Sequence, residues 1–292
     1  MHMLDRNTRV CRVAAGVAAL GCWGTAHAIY GAGSLDATGF NDVGMLSGAS
    51  CEVIAPNWVM TAKHVGGMTM TLDGVNYTAD TRYDNPDADM SLLHFSNTFS
   101  SYYAPYFGSV VGQTLTYVGY GLSADLRTSG PYAYTGYDID WSSAGVLRMM
   151  TNTAGRVTQE DDGYGNGWCI EADLDSGYAQ SPPGSQIDYL GDGPATPNEG
   201  GLLFGDSGSP ALVEIGGQWR TVGVNIDIEY TNGPDVGGWN DYCNFGDTFY
   251  STSVGAYQNW IQTTMNPTPE PVSVSALAVG SLFFFVRKKR RR

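Results

Sequence analysis

Three short segments of this 292-residue sequence carry residue types that suit acyl transfer. His64 follows the apolar run Trp58–Thr61, and an imidazole can take up a proton at neutral pH and return it to a leaving group. Asp89 stands at the head of another apolar run, where a buried carboxylate can accept the second ring N–H of a histidine. Ser207 lies in the segment Gly205–Pro210, whose glycines permit a tight turn with backbone N–H groups facing a developing oxyanion. A serine is a weak nucleophile until a base takes its proton, so these segments would have to act together.

Each segment has a structural alternative when it is taken alone. A histidine after a strand is more often structural, an aspartate before a strand is usually a turn residue, and Gly-Asp-Ser-Gly can be a surface turn. Among the other histidines, His2 and His27 lie in the leader described below, and His94 alternates into a predicted strand. The combination of the three segments therefore carries the catalytic hypothesis.

The composition favours an all-β protein. The chain has 39 glycines, 15% charged residues and 12% aromatic residues, which argues against a helical bundle or a disordered chain. Turn-forming residues separate short apolar runs, as in sandwiches and barrels. The predicted strands are Cys51–Ile54, Trp58–Thr61, Thr69–Leu72, Met90–Phe95, Thr114–Val118, Gly145–Met150, Ala211–Ile215 and Thr221–Ile228. One helix is predicted at about 253–264 with Ser253 as its cap, and the acidic segment Asp161–Gly200 is predicted to be a long loop.

Both ends of the chain resemble export signals. Residues 1–28 combine three arginines, a short apolar run and Ala26-His27-Ala28, which predicts a signal peptide cleaved before Ile29. At the other end, Pro269-Glu270-Pro271 precedes an apolar stretch and six consecutive cations, a three-part pattern that resembles the PEP-CTERM sorting signal of Gram-negative bacteria. That resemblance implies export, transient membrane contact through a short transmembrane helix, and processing by an exosortase-type enzyme. A lipoprotein site at Cys22 and a permanent tail anchor are the alternatives.

The segment between these ends is strongly acidic. Residues 29–271 keep six cations and 28 of the 29 carboxylates, so the net charge is near −22 and nucleic acid is not an expected partner. Three cysteines, Cys51, Cys169 and Cys243, allow one disulfide bond, and the sequence leaves the pair open.

No cofactor is expected for the chemistry of the three segments. The carboxylates of the acidic loop could instead gather Ca²⁺, which prefers hard oxygen ligands, although solvated acidic loops are commoner. The candidate ligands are Glu171, Asp173, Asp175 and Glu199.

The motifs together resemble those of the chymotrypsin-like (trypsin-fold) serine proteases, in the order His, Asp, Ser. The matching segments are Thr61-Ala62-Lys63-His64, Asp89-Met90-Ser91-Leu92-Leu93, Val118-Gly119-Tyr120-Gly121, Gly205–Pro210 and the C-terminal stretch Phe249–Ile261. The resemblance implies a trypsin-like domain over 29–265, followed by the sorting segment 266–292. It implies two six-stranded antiparallel β-barrels, the first at about 29–112 and the second at about 113–252, with a C-terminal helix at about 253–264.

The resemblance also implies the roles of individual residues. Ser207 would be the nucleophile, His64 the general acid and base, and Asp89 the carboxylate that orients His64. The backbone N–H groups of Gly205 and Ser207 would form the oxyanion hole. Asp206 would pair with the α-amino group of Ile29 once signal peptidase has exposed it.

The resemblance places the primary substrate pocket at a set of residues that are small, apolar or acidic. They are Gly201, Phe204, Ile226, Asp227 and Ile228. Gly201 stands where an aspartate would select Lys or Arg, so apolar or small substrate side chains are expected. The sequence thus predicts an exported serine endopeptidase acting on proteins or peptides. A catalytically weak adhesion protein and an esterase with the same triad are the alternatives.

Overall fold

The computed structural model describes residues 29–31, 35–181, 188–229 and 243–266. The predicted signal peptide and nearly all of the predicted sorting segment lie outside the described residues. The chain divides into one unit up to Gln258 and a second from Asn259, which contains most of the helix α1 (Gln258–Met265). No helix among the described residues is long and apolar enough to cross a membrane.

The first unit is all-β and is built on two large antiparallel sheets that curl. Strands are numbered along the chain. The first sheet consists of β3 (Val43–Leu46), β4 (Ala49–Ala55), β5 (Trp58–Thr61), β6 (Thr69–Leu72), β7 (Val75–Thr78), β8 (Thr81–Asp84) and β9 (Ser91–His94). Their order across the sheet is β7-β6-β3-β4-β5-β9-β8, which puts β5 beside β9.

The second sheet has eight strands in the order β14-β15-β19-β18-β17-β10-β13-β2. These are β2 (Leu35–Asp36), β10 (Thr114–Gly119), β13 (Arg148–Thr153), β14 (Arg156–Asp161), β15 (Asn166–Asp173), β17 (Pro210–Ile215), β18 (Gln218–Glu229) and β19 (Thr248–Ser253). Two short pairs complete the β-structure, β1 (Tyr30–Gly31) with β16 (Gly200–Gly201), and β11 (Ser123–Leu126) with β12 (Tyr137–Asp140).

Each large sheet buries its own hydrophobic cluster. The first cluster includes Val53, Val59 and Leu93, and the second includes Leu115 and Val213, all of them nearly or fully removed from solvent. Burial of a side chain of this size contributes about 1.5–3 kcal/mol relative to exposure. The short apolar runs therefore form strands because the strands bury their apolar side chains in these two clusters.

The two sheets meet at polar contacts rather than only at apolar ones. Glu52 of β4 is fully buried, and its Oε1 accepts a hydrogen bond of 2.8 Å from Thr221 Oγ1 of β18. Burial raises the pKa of Glu52 well above its ordinary value. A further contact, from Ser50 of β4, reaches the serine segment and is described with the site below.

The all-β class is confirmed, as is one helix near the C-terminus. All eight predicted strands are present; Trp58–Thr61 and Thr69–Leu72 have the predicted bounds, and the other six differ at one or both ends. The sheets contain seven and eight strands, where the resemblance implies six in each barrel. Part of the predicted acidic loop is strand, since β15 puts Cys169, Ile170 and Ala172 into the interior. Helix α1 begins at Gln258, after a turn in which Ser253 Oγ accepts a hydrogen bond from the N–H of Ala256.

The disulfide bond allowed by the sequence is not formed. Cys51 and Cys169 are both buried free thiols, so among the described residues no two of the three cysteines are joined. Cys51 lies in the core of the first sheet, 3.8 Å from the sulfur of Met70, whereas Cys169 belongs to β15 of the second sheet. Burial raises the pKa of both thiols, which makes them unreactive.

Candidate active site

The pairing of β5 with β9 brings His64 and Asp89 together. Thr61 at the end of β5 lies opposite Ser91 at the start of β9. His64 follows in a 3₁₀ turn, Lys63–Val65, and Asp89 precedes β9 by two residues. His64 Nδ1 lies 2.5 Å from Asp89 Oδ2, and the backbone N–H of His64 donates to Asp89 Oδ1 at 2.9 Å. One carboxylate thus holds both the ring and the backbone of the histidine, which fixes the ring orientation.

The second sheet supports Asp89 from behind. The side chain of Asp89 is 2% exposed. The backbone N–H of Asp89 donates to Asp162 Oδ2 at 2.8 Å, and the backbone carbonyl of Asp89 accepts a hydrogen bond from Thr252 Oγ1 at 3.0 Å. Asp162 lies in the turn between β14 and β15, and Thr252 lies in β19. The sequence analysis missed both residues, because nothing local in the sequence links them to Asp89.

A second histidine–aspartate pair, at His94 of β9 in the first sheet, provides a contrast to the pair at His64. His94 Nδ1 lies 2.7 Å from Asp80 Oδ1, but the two side chains are 37% and 41% exposed. The hydrogen bond from His94 lowers the pKa of Asp80. The pair at His94 thus has the same chemistry as the pair at His64 without its burial. Only the buried pair excludes water from the carboxylate, and only that pair lies beside the serine segment.

Close backbone packing holds the serine segment against the first sheet. The N–H of Ser50 donates to the carbonyl of Ser207 at 2.9 Å, and Ser50 Oγ donates to the carbonyl of Gly205 at 3.0 Å. Gly208 has φ +82°, and a Cβ there would lie 2.2 Å from Thr61 Oγ1. Since Thr61 is three residues before His64, this contact brings the serine segment to the histidine. Ser50 is another functional residue that the sequence analysis missed.

Ser207 itself is half-buried beside this contact. Ser207 and His64 are both described, and no hydrogen bond joins their side chains in this structure. Such bonds are often long before substrate binds. Gly205 has φ +97°, and a Cβ there would lie 2.8 Å from the Cα of Gly121, so glycine is required at this point of the turn that carries Ser207. The structure therefore brings together the segments of the predicted triad, with the histidine–aspartate pair already formed.

Asp206 anchors the serine segment from its other side. Its carboxylate is 1% exposed and accepts the N–H groups of Gly121 at 2.9 Å and Leu203 at 3.0 Å. Burial raises the pKa of Asp206 to about 7, and the guanidinium of Arg148 acts in the opposite direction. Glycine is required at position 121, because a Cβ would lie 2.6 Å from the Asp206 carboxyl carbon. This contact explains the glycines in the Val118–Gly121 motif.

Ile29 is buried, but no hydrogen bond or ion pair links it to Asp206 in the described structure. Its side chain is fully buried in the core of the second sheet with Leu202. The adjacent strand β1 pairs with β16, with Tyr30 opposite Gly201. Both Ile29 and Asp206 are described, and no hydrogen bond or ion pair joins them here. The pairing of these two residues stays a prediction.

The predicted pocket residues lie in β16, in β18 and in the segment just before Gly205. Phe204 and Ile228 pack against the same buried cluster, while Gly201 is in β16 and Ile226 is buried in β18. The half-buried Asp227 has a pKa raised to about 6 by burial, and the charge of His64 acts against that rise.

One aromatic residue beside this pocket was not predicted. Trp141 stacks on Phe204 with ring centroids 6.0 Å apart and ring planes at 21°. More than half of the Trp141 side chain remains exposed, so an aromatic surface stands at the edge of the pocket.

Two of the four predicted metal ligands are occupied by other partners. Glu171 lies opposite Arg156 in the β14–β15 register and forms an ion pair with it at 2.6 Å. Glu199 accepts hydrogen bonds from Thr196 and from Asn152. The other two, Asp173 and Asp175, belong to a carboxylate cluster that is described below.

Substitution of Gly208 tests the contact that positions the serine segment. Gly208→Ala is expected to lower the free energy of unfolding by roughly 2–4 kcal/mol, because overpacking adds to backbone strain at positive φ. Gly112→Ala is the control, since Gly112 has φ +76° but nothing within 4 Å of its Cβ position. It is expected to cost about 1 kcal/mol. Urea unfolding of both variants measures the difference, and equal losses would contradict the packing argument.

Comparison with known proteins gives no match for this chain, either to a protein-family model or to a curated protein. The resemblance to the trypsin-fold proteases therefore rests on the motifs themselves.

Proposed function

We propose that this protein is an exported serine endopeptidase that uses His64, Asp89 and Ser207. The observation that supports this most strongly is the double hydrogen bond of the buried Asp89 carboxylate to the ring and backbone of His64. An aspartate that served only as a turn residue would not need to bond both the ring Nδ1 and the backbone N–H of a histidine. The serine segment is held by Ser50 and by the contact of Gly208 with Thr61, on the side where His64 lies.

In the proposed reaction, His64 takes the hydroxyl proton of Ser207 as Oγ attacks the carbonyl carbon of the scissile bond. The backbone N–H groups of Gly205 and Ser207 stabilise the oxyanion of the tetrahedral intermediate. The intermediate collapses with cleavage of the C–N bond, and the protonated His64 gives its proton to the leaving amine. Water, deprotonated by His64, then attacks the acyl-enzyme, the ester C–O bond breaks, and His64 returns the proton to Ser207 Oγ as the carboxylic acid is released. Asp89 stabilises the imidazolium that forms in each half of the reaction.

We also propose a trypsin-like fold and processing of the chain at both ends. We interpret the two curled sheets as the walls of two trypsin-like barrels within residues 29–265. Signal peptidase would release the chain at Ile29, and an exosortase-type enzyme would process residues 266–292 after transient membrane contact. The apolar side chains of Phe204 and Ile228 support a pocket for apolar or small substrate side chains rather than for Lys or Arg.

Casein cleavage compared with ester hydrolysis tests the proposed reaction. A protease is expected to cleave casein and to lose that activity on treatment with a fluorophosphonate. Hydrolysis of p-nitrophenyl esters without casein cleavage would identify an esterase instead. An adhesion protein would show neither activity, and either result would overturn the proposal. Peptide-library profiling would then identify the preferred residue at the cleavage site.

The length of the N-terminus tests the proposed pairing of Ile29 with Asp206. N-terminal sequencing of the exported protein is expected to begin at Ile29-Tyr30-Gly31. A form that retains Ala28 is expected to lose about 10²-fold in kcat/KM, because a displaced oxyanion segment misplaces the reacting atoms. Equal activity of the two forms, or a mature start at another residue, would contradict this activation step.

A further inference from the structure

The loop after β15 gathers four aspartates around one point. Asp173 ends β15, Asp175 follows it, and Asp188 and Asp192 approach from the far side of the loop. One carboxylate oxygen from each residue lies within 4.8 Å of the corresponding oxygens of the other three. Four negative charges that converge in this way repel one another unless a cation lies between them.

Two of these carboxylates are buried and have oxygens without a hydrogen-bond partner. Asp173 is 0% exposed and Asp175 is 7% exposed, and the Oδ1 atom of each has no partner among the described residues. The other oxygen of Asp173 accepts the N–H groups of Tyr189 and Leu190, so the side chain is held in place with one oxygen unused. Buried charged oxygens are normally paired or bound to a metal ion.

No basic side chain of the described chain forms an ion pair with any of the four aspartates. Glu171 shows the contrast, since Arg156 neutralises it in the same hairpin. The cluster is thus electrostatically unfavourable as it stands, and a bound cation would remove the cause.

We propose that Asp173, Asp175, Asp188 and Asp192 bind one Ca²⁺ ion. The four carboxylate oxygens all lie within 4.8 Å of one another, which one ion with Ca²⁺–oxygen distances of about 2.3–2.6 Å can span. Calcium accepts several carboxylates in a flexible geometry, whereas Mg²⁺ demands near-ideal octahedral geometry and keeps several waters, so four carboxylates favour calcium. A cavity of about 360 Å³, lined in part by Asp175, Asp188 and Tyr178, gives water and the ion access to the cluster. Water would complete the six to eight ligands that calcium takes.

The bound ion would join two parts of the loop that otherwise repel each other. Asp173 is fixed by its place in β15, opposite Thr248 of β19. Asp188 and Asp192 lie 15 and more residues further along the chain, in the segment that leads to β16. Calcium would therefore tie Asp188 and Asp192 to the end of β15, and this inference does not depend on the proposed peptidase activity.

Calcium titration of the chelator-treated mature chain tests the site. Calorimetry with CaCl₂ is expected to show one ion per chain, with MgCl₂ binding at least about tenfold more weakly. At free calcium about 100-fold above the Kd, the Tm is expected to rise by roughly 5–10 °C. No binding heat together with an unchanged Tm would overturn the proposal, as would equal affinity for the two metals.

Two ligand variants and one control show where the ion binds. Asp175→Asn and Asp192→Asn are each expected to weaken calcium binding at least about tenfold, whereas Asp125→Asn, on an exposed residue of β11, leaves it unchanged. In chelator, Asp175→Asn is expected to have a Tm equal to or above that of the parent, because a repelling charge is gone. A purely structural role for Asp175 would lower the Tm in chelator as well. Calcium affinity unchanged in both ligand variants would contradict the assignment.

Discussion

Ser207→Ala is expected to reduce casein cleavage by about 10⁵–10⁶-fold in kcat, because the acyl-enzyme cannot form without the hydroxyl oxygen. The fold should be unaffected, since the contacts of this segment use the carbonyl of Ser207 rather than its hydroxyl. Kinetics with purified protein, alongside the unfolding curve of each variant, separate lost chemistry from lost structure.

A second serine serves as the control for this result. Ser142 is exposed, and its hydroxyl donates to Asp140 rather than to any residue of the proposed triad. Ser142→Ala is expected to change kcat by less than about twofold. If Ser207→Ala kept the activity of the parent, the proposed nucleophile would be wrong.

Asp89→Asn is expected to lower kcat/KM by about 10⁴-fold at neutral pH. An amide can present an N–H group where the ring of His64 needs an acceptor, so the ring is held in the wrong tautomer. The same substitution also weakens the bond from the backbone N–H of His64. The KM should change little, because Asp89 is buried and does not reach the substrate.

The exposed pair His94–Asp80 offers a matched control for this prediction. Asp80→Asn removes a carboxylate that contacts a histidine Nδ1 at 2.7 Å, as Asp89 does at 2.5 Å. We expect Asp80→Asn to change kcat/KM by less than about twofold, because solvent screens the pair and His94 does no chemistry. Similar losses in the two variants would show that the effect is structural rather than catalytic.

Much of the fold could be predicted from short apolar runs, because each run buries its residues in one of the two sheets. The β5–β9 pairing then places His64 beside Asp89, as the order of the motifs suggests. The supporting contacts could not be predicted in this way. Ser50 and Gly205 are 155 residues apart, and Thr252 and Asp89 are 163 apart, so only the tertiary fold brings them together.

The acidic loop shows a second limit of sequence reasoning. Carboxylate content indicated a metal site, and Asp173 and Asp175 do lie in the cluster. Glu171 was also predicted as a ligand, but the strand register places Arg156 opposite it. Asp188 and Asp192 join the cluster because the chain folds back after Asp175, and no spacing in the sequence specifies that return. Strand register and loop geometry, rather than residue type, decide which carboxylates meet.

Covalent labelling with a fluorophosphonate probe, located by peptide mass spectrometry, tests the central claim most directly. We expect one adduct, on Ser207, in the mature protein, and labelling slower by at least about 10³-fold in His64→Ala because the hydroxyl then lacks its base. Labelling of Asp80→Asn should match that of the parent. The absence of an adduct on Ser207, or equal labelling rates with and without His64, would contradict the account.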